Sequence, residues 1–533
     1  MTTLDVATDQ ARLVRALGKP SAFGGGVTRV ERIETHISYV FLTGTYAYKI
    51  KKAVELGFLD FSTLDARRRF CAEELRLNRR LARDLYLDVV AITGTLDAPV
   101  VGGAGPALEY AVKMREFPQH ALASAMLARG ELDRTHIDRL AAEVAAFHGR
   151  IDVATADGPY AIPAEILQRA NDNFAQVRPL LDDDAERGAL DTLSDWTRHE
   201  HALRATVLEA RRRDGFVREC HGDLHLGNIA ILDGAAVIFD CIEFNDQLRW
   251  IDVMSEVAFA VMDMQDRKRP DLAYRFLNGW LEITGDYEGI AVLRFYLAYR
   301  AMVRAKVARL RTAQVEGPAD KRALLAEYGS YVALARADAH SRRPAIVITH
   351  GLSGCGKTTA SQALIERAAA IRIRTDVERR RLHGIARRSS DAAGIERGRY
   401  APQATAETYR RVLALTRAVA NAGTVVIVDG AFLKRWQRDL FRDLAAELGI
   451  PFAILAFEAS ETTLRQRVTA RVHAGTDASE ADISVLENQL RTREPLEADE
   501  LGLSVPYDAE LPKDHAYDAN TWRPLLERPG LAR

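Results

Sequence analysis

Ala345-Ile-Val-Ile-Thr349-His-Gly351-Leu-Ser353-Gly354-Cys355-Gly356-Lys357-Thr358 decides the fold of the C-terminal part of the chain. Its first five residues form a strand of the buried, parallel type. The last eight fit G-x-x-x-x-G-K-[ST] in full, and Thr359–Ala369 reads as a helix. In such a loop the glycines let backbone N–H groups turn inward around phosphate oxygens. The helix behind it presents its positive end to the same anion. Lys357 then neutralises the β and γ phosphates, and the Thr358 hydroxyl ligates Mg²⁺. Gly351, Ser353, Gly354, Cys355, Gly356 and Thr359 belong to the same nucleotide-binding stretch. A glycine-rich turn with a chance lysine is the alternative, and the complete pattern in a strand–helix context argues against it.

Beyond this loop, strands and helices alternate: Val425–Val428, a helix, Phe452–Phe457, another helix. That is the α/β doubly wound pattern with a mostly parallel sheet. Asp429 ends the strand TVVIVD, where a carboxylate can hold the Mg²⁺ shell. Asp376, after the second strand, is placed to orient or deprotonate an acceptor hydroxyl, or else to cap a helix. Arg467 and Arg471 are four apart on one helical face. They either close over transferring phosphate or form a solvated charged face. GLSGCGKTT, RTDVERRRL, VDGAF and RQRVTAR make residues 345–510 resemble small P-loop kinases of the gluconate kinase, zeta-toxin and chloramphenicol phosphotransferase group. The resemblance implies an α/β P-loop NTPase fold and ATP-dependent phosphotransfer, with the acceptor left open.

A second motif lies upstream. Residues 221–228 read His-Gly-Asp-Leu-His-Leu-Gly-Asn, with Asp223 and Asn228 five apart, as in the protein-kinase catalytic loop H-R-D-L-x-x-x-N. Gly222 stands where that pattern has Arg. Phosphotransfer needs a carboxylate at the acceptor hydroxyl and a nearby amide oxygen on Mg²⁺. Asp240, ending the hairpin that turns at Asp233-Gly234, is placed as a further Mg²⁺ carboxylate. A polar turn between strand and helix is the alternative. Residues 30–335 resemble the aminoglycoside phosphotransferase/choline kinase family through H-G-D-x-x-x-x-N and the following Asp. The resemblance implies an α+β, protein-kinase-like bilobal fold, Asp223 as base, Asn228 and Asp240 as metal ligands, and His221 shaping the loop. Lys49 and Lys51 alternate with Ile50 and so share a strand face. One of them binds ATP phosphates unless both are surface charges. The family pattern favours Lys49, with Glu74 rather than Glu73 as its partner. Glu116 and Phe117 fall where a hinge would accept adenine. Gly24-Gly-Gly26 lies too early to be a phosphate loop, which such families generally lack.

The 533 residues suit about three units. They are expected at 1–118 (N-lobe with an extension), 119–340 (mainly helical C-lobe) and 341–533 (P-loop segment), separable near Arg343. With 73 basic and 74 acidic residues there is no global field for nucleic acid or membrane. Cys71, Cys220, Cys241 and Cys355 form no C-x-x-C pair and read as reduced thiols of a cytoplasmic protein. No signal-peptide-type core or long apolar run occurs. The preferred reading is a phosphotransferase with two ATP·Mg²⁺ sites and small-molecule acceptors. One active half with a nucleotide-sensing partner, or a nucleotide-dependent switch or scaffold, are the others.

Overall fold

The structure is a computed structural model describing residues 3–56, 59–340, 344–382, 402–474, 482–518 and 520–528. Position 343, the expected cut, lies outside the described residues. Contacts divide the chain into two compact units: residues 1–166 with 208–263, and residues 167–207 with 264–533. The helical residues 264–340 therefore belong to the same unit as the P-loop segment.

In the first unit, six strands make one antiparallel sheet: β1 (Glu31–Glu34), β2 (Ser38–Leu42), β3 (Tyr46–Lys51), β4 (Tyr86–Gly94), β5 (Pro99–Val101) and β6 (Glu109–Arg115). Their order is β1-β2-β3-β6-β4-β5. Leu13, Val14 and Leu17 of helix Thr3–Leu17 pack with Phe41, Tyr48 and Ile50 of β2 and β3. Helix Leu64–Asn78 starts where the Thr63 side chain accepts the Ala66 N–H, and it buries Cys71, Glu74, Leu77 and Asn78. That spacing of three to four puts them on one face, so Glu74 enters the interior together with apolar neighbours.

Two small sheets follow. β7 (Val217–Glu219) pairs antiparallel with β10 (Trp250–Asp252), and β8 (Ile229–Leu232) with β9 (Ala235–Ile238). The turn between β8 and β9 has positive φ at Asp233 (50°) and Gly234 (74°), as a two-residue hairpin of primed type requires. The H-G-D segment is the loop between β7 and β8.

In the second unit, β11 (Ile346–His350), β12 (Ile371–Arg374), β13 (Val426–Asp429), β14 (Phe452–Glu458) and β15 (Ser504–Asp508) form a sheet ordered β12-β13-β11-β14-β15. Every pairing in it is parallel. β11, β13 and β14 are buried over nearly their whole length, in keeping with their nearly continuous apolar sequences, whereas β12, also largely buried, alternates Ile371 and Ile373 with Arg372 and Arg374. The N-terminal part is thus an α+β, kinase-like fold and the C-terminal part an α/β P-loop fold.

Candidate active sites

In the first unit the lysines of β3 are not surface charges. Lys51 is fully buried and Lys49 is 8% exposed. Glu74 lies between them, with Oε1 2.8 Å from Lys49 Nζ and Oε2 2.7 Å from Lys51 Nζ. Lys49 also pairs with Asp240, and Lys51 with Glu243. Burial works to raise the Glu74 pKa, but the two ammonium groups outweigh it and hold it at about 2. Lys49 is pushed well above its ordinary value: Asp240 and Glu74 outweigh a burial penalty that alone would lower it. Burial raises Glu243, only partly offset by Lys51.

Asp240 sits where several parts of this unit converge. Its backbone N–H donates to the Tyr86 hydroxyl (3.1 Å), and Cys241 N–H donates to Asn78 Oδ1 (2.9 Å). Its φ of 65° is uncommon for a non-glycine residue and turns its side chain back toward β3. Asn228 Nδ2 donates to Asp223 Oδ2 at 3.0 Å and to the Asp223 carbonyl at 3.1 Å. His225 Nε2 is 3.4 Å from the same Asp223 carboxylate oxygen. The Asn228 amide oxygen and the Asp240 carboxylate are donors suited to a hard divalent cation.

The loop carrying Asp223 is held from below. Glu256 Oε2 accepts the backbone N–H groups of His221 (2.7 Å) and Gly222 (3.1 Å), and Oε1 lies 3.5 Å from His148 Nε2. Burial would raise the Glu256 pKa, but His148, His221 and the backbone donors hold it at about 2. His221 Nε2 meets the Phe239 carbonyl (2.8 Å) while Nδ1 accepts from Asp223 N–H (3.3 Å). Both contacts suit a neutral imidazole, and burial lowers its pKa accordingly. Gly222 has φ 90°, and a Cβ there would come within 2.8 Å of the Leu248 carbonyl. Glycine in place of the kinase arginine thus follows from the tightness of this turn. Of the expected hinge, the Glu116 side chain accepts the Gly44 N–H (2.7 Å), and Phe117 packs on Phe239 at 5.3 Å.

In the second unit the loop Gly351–Gly356 leads into helix Lys357–Ala368. Gly351 has φ 155°, and a Cβ would stand 2.8 Å from Cys355 Sγ and 3.0 Å from Phe457 Cβ. Lys357 Nζ donates to the carbonyls of Gly351 (2.9 Å) and Leu352 (2.8 Å). Ser353 N–H donates to Gln489 Oε1 (2.8 Å). A cavity of about 800 Å³ opens over the loop. Ser353, Gly354, Gly356, Lys357, Thr358 and Thr359 line it, together with Asp376, Asp429 and Arg467. Cys355 is buried behind the loop. Asp376 lies within the first turn of helix Thr375–Leu382 and is paired with Arg379 (3.2 Å), so it is not that helix's cap. Arg471 is on the same helix as Arg467, but its side chain lies outside the described residues.

Asp429 is 6% exposed; its Oδ2 accepts from Ser361 Oγ (3.3 Å) and lies 3.8 Å from Arg374 Nε. The Thr358 hydroxyl and Asp429 carboxylate supply oxygen donors, again fitting a hard cation. Sequence reasoning did not single out Arg374, Ser361, Gln489 or Glu256. Arg372 and Arg374 alternate on a strand otherwise apolar, Ile-Arg-Ile-Arg, and that was the one available signal. All four cysteines are free and buried. No described helix is long and apolar enough to cross a membrane.

Residues 62–296 match the model of the phosphotransferase enzyme family, and residues 346–496 match that of an AAA domain. An uncharacterized protein of Mycobacterium tuberculosis (strain H37Rv) is 29% identical over 448 residues, covering 84% of this chain and 87% of its own. Another from Mycobacterium bovis matches equally. Among solved structures, a choline/ethanolamine kinase family protein from Mesorhizobium loti is 13% identical, covering 62% of this chain and 99% of its own, with a TM-score of 0.37. An aminoglycoside 2'-phosphotransferase-IIIa mutant is 16% identical, covering 59% and 92%, with a TM-score of 0.36. A sugar kinase from Janibacter sp. HTCC2649 is 22% identical, covering 36% and 99%, with a TM-score of 0.27.

Proposed function

We propose that this chain, a kinase joining a phosphotransferase-family segment to a P-loop segment, has two ATP·Mg²⁺ sites that each transfer a γ-phosphoryl group to a small-molecule hydroxyl. The observation that carries the reading is the convergence, within each unit, of groups that phosphoryl transfer needs. In the first unit Asp223, Asn228, Asp240, Lys49 and Glu74 are linked in two short chains of contacts. In the second, Lys357, Thr358, Asp429 and Asp376 line one cavity.

Within the first site, Asp223 takes or orients the proton of the acceptor hydroxyl, whose oxygen attacks the γ-phosphorus as the β–γ bridging bond breaks. Lys49, fixed by Glu74, binds phosphate oxygens. Asn228 and Asp240 hold Mg²⁺, which supplies charge neutralisation on the phosphates when bound. In the second site, Lys357 exchanges loop carbonyls for phosphate oxygens and Asp376 serves the acceptor. Thr358 and Asp429 hold Mg²⁺ there, and Arg467 and Arg471 attend the transferring group.

A second reading keeps one half catalytic and makes the other a nucleotide sensor. What favours it is the packing of residues 264–340 with the P-loop segment. Fold does not identify an acceptor. The test is a metabolite-pool screen with γ-labelled ATP, run on the full chain and on the Asp223→Ala and Lys357→Ala variants. Two labelled products, each lost in one variant only, support two working sites. Hydrolysis without any labelled product contradicts them.

A further inference from the structure

Helix Pro270–Thr284 lies inside the segment matching the phosphotransferase family, yet it packs in the same unit as the P-loop segment. Its side chains meet β12, the edge strand of the parallel sheet. Asn278 Nδ2 donates to the Ala370 carbonyl at 2.9 Å, and Asn278 Oδ1 accepts the Arg372 N–H at 2.7 Å. An edge strand presents backbone groups with no strand partner. Asn278, 1% exposed, supplies both a donor and an acceptor there. Arg275 reaches Glu366, on the helix behind the phosphate loop, at 2.7 Å.

One helical turn after Asn278 comes Glu282. Its Oε1 accepts from Arg372 Nε at 2.9 Å, and its Oε2 from Arg374 Nη1 at 3.4 Å. Burial would raise the Glu282 pKa, but Arg372 and Arg374 outweigh it and keep the carboxylate charged. Arg372 carries the connection onward: Nη1 donates to the Thr358 carbonyl (3.0 Å) and to Ser361 Oγ (3.2 Å). Ser361 Oγ in turn donates to Asp429 Oδ2. Arg374 stands between Glu282 and Asp429, 3.8 Å from the latter. Without the Glu282 charge, both arginines would turn more of their attraction onto Asp429, and a cationic partner there competes with a bound cation.

We infer that Glu282 is a positioning residue for the divalent-cation site of the P-loop half, so that this site is completed by a helix of the phosphotransferase-family segment. The inference rests on reading Thr358 and Asp429 as the cation-holding pair. Glu282 acts on that pair through Arg372 and Arg374 and touches no substrate.

The experiment uses the full chain carrying Asp240→Asn to quiet the first site, with a fluorescent ATP analogue titrated against Mg²⁺ and, separately, in EDTA. Glu282→Gln should raise the Mg²⁺ midpoint about tenfold, the usual scale for losing a residue that supports metal ligands. Affinity in EDTA should stay unchanged, which a general loss of structure would not allow. Arg372→Lys, which keeps the charge but loses the fork, should act in the same direction, and Glu282→Asp more weakly. If Glu282→Gln does not fold, Arg372→Lys and Glu282→Asp decide the matter. An unmoved midpoint in those variants, or an equal loss with and without Mg²⁺, overturns the inference. Thr358→Ala separates the two levels. If it leaves the midpoint unmoved, the P-loop reading itself is wrong. If it moves the midpoint and Glu282→Gln does not, only the inference fails.

Discussion

Replacing Glu74 by Gln removes one charge from the interior of a largely buried cluster. The carboxylate is fully buried, 2.8 Å from Lys49 Nζ and 2.7 Å from Lys51 Nζ. The two ammonium groups hold its pKa at about 2, against 4.5 ordinarily and against the upward push of burial. Two to three pH units at about 1.4 kcal/mol each amount to about 3 kcal/mol of stability. Because the folded-state pKa is depressed, that stability is present above pH 4.5 and is lost as pH falls toward 2. Removing one partner of a buried pair costs about 3–5 kcal/mol, the same scale. Hydrogen exchange at the amides of β3 and helix Leu64–Asn78 reads the effect locally, without assuming that the whole chain unfolds at once. At pH 7, Glu74→Gln should lower their protection by about 3 kcal/mol. Adding Lys51→Met should not restore the loss, since Lys51 is still paired with Glu243 in Glu74→Gln and its removal leaves that buried carboxylate without its ammonium. Unchanged protection in Glu74→Gln would refute the argument that this cluster depends on Glu74.

Other expectations follow from the same geometry. Asp223→Ala should abolish transfer at the first site while nucleotide affinity there persists, because that carboxylate serves the acceptor; isothermal calorimetry beside a transfer assay checks it. His350, half-buried near Arg438 and Lys357, has its pKa lowered to about 4, chiefly by its loss of solvent. The P-loop unit should therefore lose about 3 kcal/mol as pH falls from 6.5 to 4, and the urea midpoint of His350→Gln should lack that slope. Residues 341–533 expressed alone lack Asn278 and Glu282, so β12 loses the cover of its edge. That fragment should melt below the corresponding transition of the full chain, and an identical melting temperature would show that the helix contributes nothing.

Both motifs were legible in the sequence because phosphate loops and kinase catalytic loops are local: spacing alone brings Gly351 to Thr358, or Asp223 to Asn228, into one turn. Alternation placed Lys49 and Lys51 on one face of β3, the pairing of Lys49 with Glu74 came from the family pattern, and the burial of both lysines was not legible. β15 was not read because the short stretch Ser504–Asp508 contains Pro506 and has only Val505 buried among its five residues. Glu256 and Glu282 stayed hidden for a different reason. Each is one acid among many on a helix, and its role depends on which loop or strand that helix packs against. The shift from charged helical sequence to a fresh buried strand suggested halves separable near Arg343, and it gave no sign that helix Pro270–Thr284, inside the phosphotransferase-family match, packs with the P-loop segment.

Nucleotide stoichiometry tests the two-site reading most directly. Isothermal calorimetry of the full chain with a non-hydrolysable ATP analogue and Mg²⁺ should give two sites. Asp240→Asn should remove one, since losing a charged metal ligand weakens binding by several kcal/mol, and Lys357→Ala should remove the other. The double variant should bind none. A wild-type stoichiometry of one, or two sites surviving in Lys357→Ala, would contradict it.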